Sequence, residues 1–345
     1  MATISSANII SSKFIGCPIS IPVTAATVSG ATFQRVRLLV EIADANSAYT
    51  GLSGDYVFEF SSPVDSGDTV YFDISSAFRA VADQMRYEPT TLNAYPKLQA
   101  NLTAYDDYMI DGTNYEGITP DNNSNEAAIS FFYVGKLTDK ERLGNSVTMP
   151  ARYSRKPVSS PELAFVGGKI LHAAALVNNA TPQPPSVTEV NVTEGLNAAN
   201  NYYGIAVPAD AYEIRFINSL GVHENVFVTC LRTLEVPITT NGFVLARQET
   251  LTDFSRGVNI KENNRERWRM SSPSLDRAWL QWYIHEFLMA RWAWIAIPNN
   301  QSMANVDYIP IHILPDEITK GIDRPKNTPL SVEFTIEFDI NGSPF

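Results

Sequence analysis

His285-Glu286 and His223-Glu224 are the residue pairs in this chain that come nearest to a reactive motif. Two histidines one helical turn apart, with a glutamate beside the first, hold zinc and supply a general base in metalloproteases. Here the position four after His285 is Met289, and the position four after His223 is Phe227, so neither pair completes a zinc-binding face. Gly167-Gly168-Lys169 lacks the upstream glycine and the following Ser or Thr of a phosphate-cradling loop. Gly51-Leu52-Ser53-Gly54 reads as a turn and not as a nucleophile elbow. With no Cys-x-x-Cys, structural zinc is not expected either. These patterns point to no enzyme, no cofactor and no resident metal. A hydrolase with dispersed carboxylates is the third of three functional readings, since such a site is defined by a distance and not by a motif.

Two groups of charged residues have other chemistry to offer. Asp106, Asp107 and Asp111, with Asn114 and Glu116, supply the clustered oxygens that calcium prefers, although their spacing matches no standard calcium loop. Arg265, Arg267 and Arg269 alternate with Glu266, Trp268 and Met270, which puts the arginines on one face of a strand. Such a stripe suits an acidic partner surface, and Glu333 and Glu337 of a neighbouring copy are candidates. The competing reading is a solvated strand face with scattered ion pairs. Exposed tyrosines at Tyr105, Tyr108, Tyr115, Tyr202 and Tyr203 are candidate binding aromatics for a glycan or receptor.

The elements that position these residues are mostly strands. Residues 33–42 alternate, with Val36, Leu38 and Val40 on one face. Residues 56–60 and 69–74 form two more strands, joined by the turn residues Ser61-Ser62-Pro63 and Asp65-Ser66-Gly67. Residues 98–105 and 128–134 continue the pattern, with a helix over 76–85 capped by Asp73 or Ser75. Tyr105 to Glu126 is polar and turn-rich and reads as a long exposed loop or an extended hairpin. The Pro-, Asn- and Thr-rich stretch 178–208 reads as a linker in which 187–192 can form an edge strand.

Strands follow at 213–218, 226–232, 234–239 and 265–270, the first two as a hairpin. Ser272-Pro273 opens a helix to about residue 290, apolar around most of its circumference. Its polar ridge is Arg277, Gln281 and His285. All five tryptophans lie between Trp268 and Trp294, which marks a large packing centre. Strands at 291–297, 308–314 and 330–340 complete the chain. The expected architecture is mainly β, with two sandwich- or barrel-like domains, each carrying one or more short helices. Residues 1–177 form the first, 178–208 the linker, and 209–345 the second, with its Trp-rich helix near 273–290.

Composition narrows the partners. The net charge of −11 opposes general nucleic-acid binding, which needs a cationic face. The charged fraction of 18% is low, as suits a chain that buries surface against other copies or partners. Cys17 and Cys230 are far apart in sequence and read as two reduced thiols, with pairing open only if the two halves of the chain meet. Residues 1–16 lack a basic segment followed by an apolar one, so no secretory leader is expected. The apolar stretch 163–177 is broken by Lys169 and His172 and is too short to span a bilayer.

Val70-Tyr71-Phe72-Asp73-Ile74-Ser75-Ser76-Ala77-Phe78-Arg79-Ala80 resembles a strand-then-helix segment of tail-associated virion proteins from phages and prophages of Bacteroides-type bacteria. Glu213 to Val222 resembles their "RF-N-x-x-G" hairpin, and Leu280 to Tyr283 resembles part of their Trp-rich helix. The resemblance implies a distal-tail, tail-tip or baseplate component in the virion, built into symmetric rings of its own copies beside other tail proteins. It implies no catalytic residues. The alternative is a carbohydrate- or receptor-binding β-sandwich.

Overall fold

The computed structural model describes residues 2–5, 14–44, 56–85, 87–90, 92, 97–110, 112, 115–117, 125–136, 147–149, 162–165, 169–177, 186–191, 195–196, 202–205, 212–228, 233–235, 239–245, 256–262, 267–272, 280, 282–299, 302–315 and 332–339. The protein is mainly β. The chain begins β1 (Thr3–Ile4), β2 (Ser20–Thr24), β3 (Phe33–Asp44), β4 (Tyr56–Pro63), β5 (Thr69–Asp73), α1 (Ser75–Ala82), β6 (Lys97–Met109), β7 (Tyr115–Gly117), β8 (Asn125–Tyr133) and β9 (Val147–Met149). It continues with β10 (Glu162–Phe165), β11 (Lys169–Val177), β12 (Ser186–Asn191), β13 (Gly195–Leu196) and β14 (Tyr202–Ile205). The last strands are β15 (Tyr212–Ile217), β16 (His223–Val228), β17 (Thr233–Glu235), β18 (Thr239–Leu245), β19 (Arg256–Glu262), β20 (Arg267–Ser271), β21 (Ala293–Asn299), β22 (Ser302–Pro315) and β23 (Glu333–Phe338). Two compact units interleave along the sequence. The first takes Met1–Ala151, Ala173–Val187 and Ser219–Val222, and the second takes the rest. The stretch read as a linker contains β12, β13 and β14, so it is not a plain connector.

In the first unit the alternation of β3 sets the core. Val36, Leu38, Val40 and Ile42 are fully buried and lie in register with Asp106, Ala104, Leu102 and Ala100 of β6. Each buried aliphatic side chain contributes roughly 1.5–3 kcal/mol of transfer free energy. Sheet β4-β3-β6-β7, with β8 also on β6, is covered on this face by the β1-β2-β5 sheet. β4 runs to Pro63, through residues that read as a turn, because its pairing with β3 is unbroken from Ile42↔Tyr56 to Arg35↔Pro63. Helix α1 places Phe78, Val81 and, just past its end, Met85 in the core.

Asp73 organises the start of α1 from one residue before its cap. Its Oδ1 accepts hydrogen bonds from Ser75 N at 3.0 Å and Ile19 N at 3.3 Å. Burial alone pushes the Asp73 carboxyl up, but the Ser75 and Ile19 bonds and the Arg79 charge outweigh it and hold the carboxyl below its usual range. A carboxyl lowered on folding adds stability above its unfolded pKa and loses it as pH falls through the folded value. Asp73→Ala is expected to cost about 1 kcal/mol at neutral pH, by analogy with other lost caps. The deficit should shrink in acid. Urea melts at pH 7 and pH 3 measure both, and an equal deficit at the two values would refute the carboxylate role.

Ser219–Val222 groups with the first unit, and its backbone lies against that of Val134–Lys136. Lys136 N donates to Ser219 O at 2.8 Å, and Gly16 N to Gly135 O at 2.8 Å. Gly221 has φ +78°, and a Cβ there would fall 1.9 Å from Val134 O. Glycine is required at that position by conformation and by space.

The second unit contains an antiparallel seven-stranded sheet ordered β16-β15-β21-β22-β23-β20-β17. Its core is aromatic. Phe216 meets Trp282 and Phe287 with ring centroids 5.9 Å and 5.3 Å apart, and Phe287 meets Phe334 edge-on at 5.3 Å. Trp268 packs edge-on against Phe338 at 4.9 Å. Trp282 and Trp268 are each 1% exposed, so the packing centre expected from the tryptophans is real. The described end of the Trp-rich helix is a π-helix over Tyr283–Leu288 that stops at Met289. Pro273 to Trp279 and Gln281, which include Arg277 of the polar ridge, lie outside the described residues. Among the described residues no helix is long and apolar enough to cross a membrane.

Candidate functional site

The acidic run after Tyr105 starts as a hairpin and not as an exposed loop, with β7 folding back antiparallel on residues 107–109. Residues 105–109 continue β6, paired with Arg37 through Phe33 of β3. Asp106 is 1% exposed, and its Oδ1 accepts hydrogen bonds from Ala26 N and Gln34 Nε2, each at 3.2 Å. Asp107 points to the other face, where its Oδ2 lies 2.7 Å from Arg35 Nε and 2.6 Å from Arg37 Nε. The two carboxylates therefore face opposite sides of the sheet and answer different partners, which is the reverse of a calcium cluster. Asp111 and Asn114 lie outside the described residues, and Glu116 is placed only by its backbone on β7. Among the described residues no three His, Cys, Asp or Glu side chains gather as metal ligands.

Tyr105 is buried, not exposed. Its ring lies beneath the Arg37 guanidinium, 5.7 Å from centroid to Cζ, and its hydroxyl donates to Glu59 Oε1 at 3.2 Å. Burial raises the Tyr105 pKa, and Glu59 raises it further against the opposing effect of Arg37. Tyr105 is a packing residue, since its hydroxyl and ring face are both engaged. Tyr108 is partly buried. Tyr115, Tyr202 and Tyr203 are placed by backbone on β7 and β14, and their side chains lie outside the described residues.

The arginine stripe finds its acidic partners within the same chain. β20 pairs antiparallel with β23 and sets Arg267 opposite Glu337. Arg267 Nε and Nη2 lie 2.7 Å and 2.6 Å from Glu337 Oε2. Arg269 reaches diagonally to Glu333 at 2.7 Å, where both side chains are more than half exposed. Such a surface pair adds about 0–1 kcal/mol. The stripe is thus a cross-strand ladder in this chain. Arg265 lies outside the described residues.

His223 and Glu224, which the sequence offers only as an incomplete zinc motif, belong to a buried polar row in the second unit. His223, Glu224 and Asn225 follow one another on β16 and are 1%, 3% and 0% exposed. Trp282 Nε1 donates to Glu224 Oε2 at 3.2 Å, and His223 stacks on Trp294. The Asn225 amide donates to Lys169 O at 2.7 Å and to Glu213 Oε1 at 2.8 Å, and its oxygen accepts from Leu171 N at 3.0 Å. Arg215 lies over the Tyr308 ring at 4.3 Å and bonds Glu213. Burial, and after it the Glu213 charge, raises the Tyr308 hydroxyl far above its usual range. These groups tie strands together. His285, by contrast, is exposed on the π-helix, and Met289 beyond it is 68% exposed.

Among the described residues, one edge of the first unit exposes apolar side chains. Among the described residues β4 pairs only with β3, and β5 only with β2. The inward row of β4, Tyr56, Phe58 and Phe60, is half-buried where the matching row of β3 is fully buried. Phe60 touches Phe72 of β5, with ring centroids 6.5 Å apart. Val57 is 56% exposed and Tyr71 60%. Alternation in Thr69-Val70-Tyr71-Phe72-Asp73 is the signal that would have found Tyr71.

Scans against family models, curated proteins and solved structures give no match to this chain.

Proposed function

We propose that the chain is a β-sandwich recognition module that works by contact with a carbohydrate or receptor surface. The observation that carries this reading is Tyr71, 60% exposed on the edge strand of a packed sandwich. A tyrosine on a rigid strand offers a flat apolar face and a polar tip at low entropic cost. Its neighbours Val70 and Phe72 hold the backbone from the other face. Tyr71→Ala is expected to weaken binding to any ligand found on a glycan array by about tenfold or more, as for an interfacial aromatic anchor. The melting temperature should hardly change, because the residue is at the surface. Binding that survives the substitution unchanged would remove Tyr71 from the site and this reading with it.

A second reading is favoured by the open β4 edge. A half-buried aromatic row on a strand at a sheet edge among the described residues suits a protein that completes its core by assembly, which is the role implied by the resemblance to virion tail proteins. In that reading the protein sits in the virion and contacts its own copies and other tail components. The solution mass of the purified chain tests it: a discrete oligomer supports assembly, and a monomer at all concentrations counts against self-assembly.

A further inference from the structure

We infer that β4 pairs with β4 of a second copy of this chain, antiparallel about a two-fold axis at Phe58. The inference rests on the assembly reading above and specifies its partner and register.

Three observations converge on it. First, among the described residues β4 shows few of the usual protections of an edge strand. It has no lysine, no proline before Pro63, and no bulge in its register with β3. Its one charge, Glu59, is already 2.9 Å from Arg37. Second, its inward side chains are only half-buried, so an added strand would extend the sandwich core over them. Third, the inward row is aromatic at three of its four positions, Tyr56, Phe58 and Phe60, with Ser62 following them, and these three aromatics are symmetric about Phe58. A two-fold axis normal to the sheet keeps inward residues inward. Centring it on Phe58 sets Phe58 opposite Phe58 and Tyr56 opposite Phe60, and cross-strand aromatic pairs are favourable. The same register places Glu59 opposite the outward Val57 of the other copy. A shift by one pair toward the C-terminus would set Glu59 against Glu59, and like charges directly opposite are unfavourable. Self-pairing of this kind is closed and stops at two copies.

The register gives a test with opposite signs at one exposed residue. Val57→Glu places a glutamate opposite Glu59 of the other copy, twice per dimer. Val57→Lys places a lysine there and creates two ion pairs. Light scattering across a concentration series of the full chain should show a dimer. Val57→Glu should raise its dissociation constant about tenfold, the effect of two like-charge cross-strand pairs. Val57→Lys should leave the dimer as tight or tighter. Circular dichroism should show both variants folded, since Val57 points to solvent. Equal weakening by both variants, or by neither, overturns the register while leaving assembly in place. A wild-type chain that stays monomeric throughout overturns both, and the Tyr71 binding experiment then stands as an independent test of recognition.

Discussion

Gly221→Ala is expected to lower the stability of the first unit by about 3 kcal/mol, from left-handed backbone strain of about 1–2 kcal/mol and overpacking of about 1–3 kcal/mol. For a domain of this size, that corresponds to a thermal midpoint lower by about 10 °C. The cause is local and geometric. At φ +78° an L side chain is strained, and here the new methyl would also fall 1.9 Å from Val134 O. That atom belongs to backbone that neighbours other close approaches: a Cβ at Gly135 would lie 2.7 Å from Leu220 O, and one at Gly16 would lie 2.6 Å from Gly135 O. No flexible side chain is present to move aside. Gly30→Ala is the matched control, because Gly30 has φ +79° with nothing within 4 Å of a new Cβ. It should cost only the conformational part, about 1 kcal/mol. Thermal melts of the two variants separate strain from collision. Equal losses would show that Val134 yields and that the turn is not rigidly packed.

Much of the fold is legible in short-range pattern. Val36, Leu38 and Val40, and Leu98, Ala100, Leu102 and Ala104, alternate because one sheet face is core, and the structure places both sets there. Residues 105–109 escaped this logic. Asp106 and Asp107 look solvated in sequence, and what stabilises them in β6 is Gln34, Arg35 and Arg37, some 70 residues earlier. The same distance hid the arginine ladder. Alternation in 265–270 revealed the stripe, but only the β20–β23 register reveals that Glu337 stands opposite Arg267 within one chain. Ser61-Ser62-Pro63 has turn chemistry, yet it continues a strand because the edge of a sheet tolerates proline. The π-helix could not be read from sequence, since an added residue per turn does not alter which side chains are apolar. Of the candidate site residues, Tyr105 failed as an exposed aromatic because Arg37 covers it, whereas Tyr71 lies in a segment correctly read as a strand whose outward face carried no further signal.

Trp282 is where aromatic packing and the buried polar row meet, and its substitution should have the largest effect in the second unit. Trp282→Ala removes a side chain that is 1% exposed and packed against Phe216 and Tyr283, at an expected cost of about 3–5 kcal/mol. Trp282→Phe keeps most of the packing but removes the indole N–H from Glu224 Oε2, a carboxylate that is 3% exposed. Weakening a buried acceptor in this way costs about 1–3 kcal/mol, beyond the small loss of ring volume. The two contributions separate in a double-mutant cycle with Glu224→Leu. When both polar partners are replaced by apolar groups, the loss should be smaller than the sum of the single losses by about 1 kcal/mol or more. Urea titrations of the four proteins give the coupling directly. Additive losses would mean that Trp282 acts through packing alone and that Glu224 draws its stabilisation from its other neighbours. A coupled pair would instead explain why a strand with three consecutive buried polar residues keeps its place at the edge of an aromatic core: each polar side chain would hold a specific partner, and the register of β16 would follow from those bonds as much as from burial.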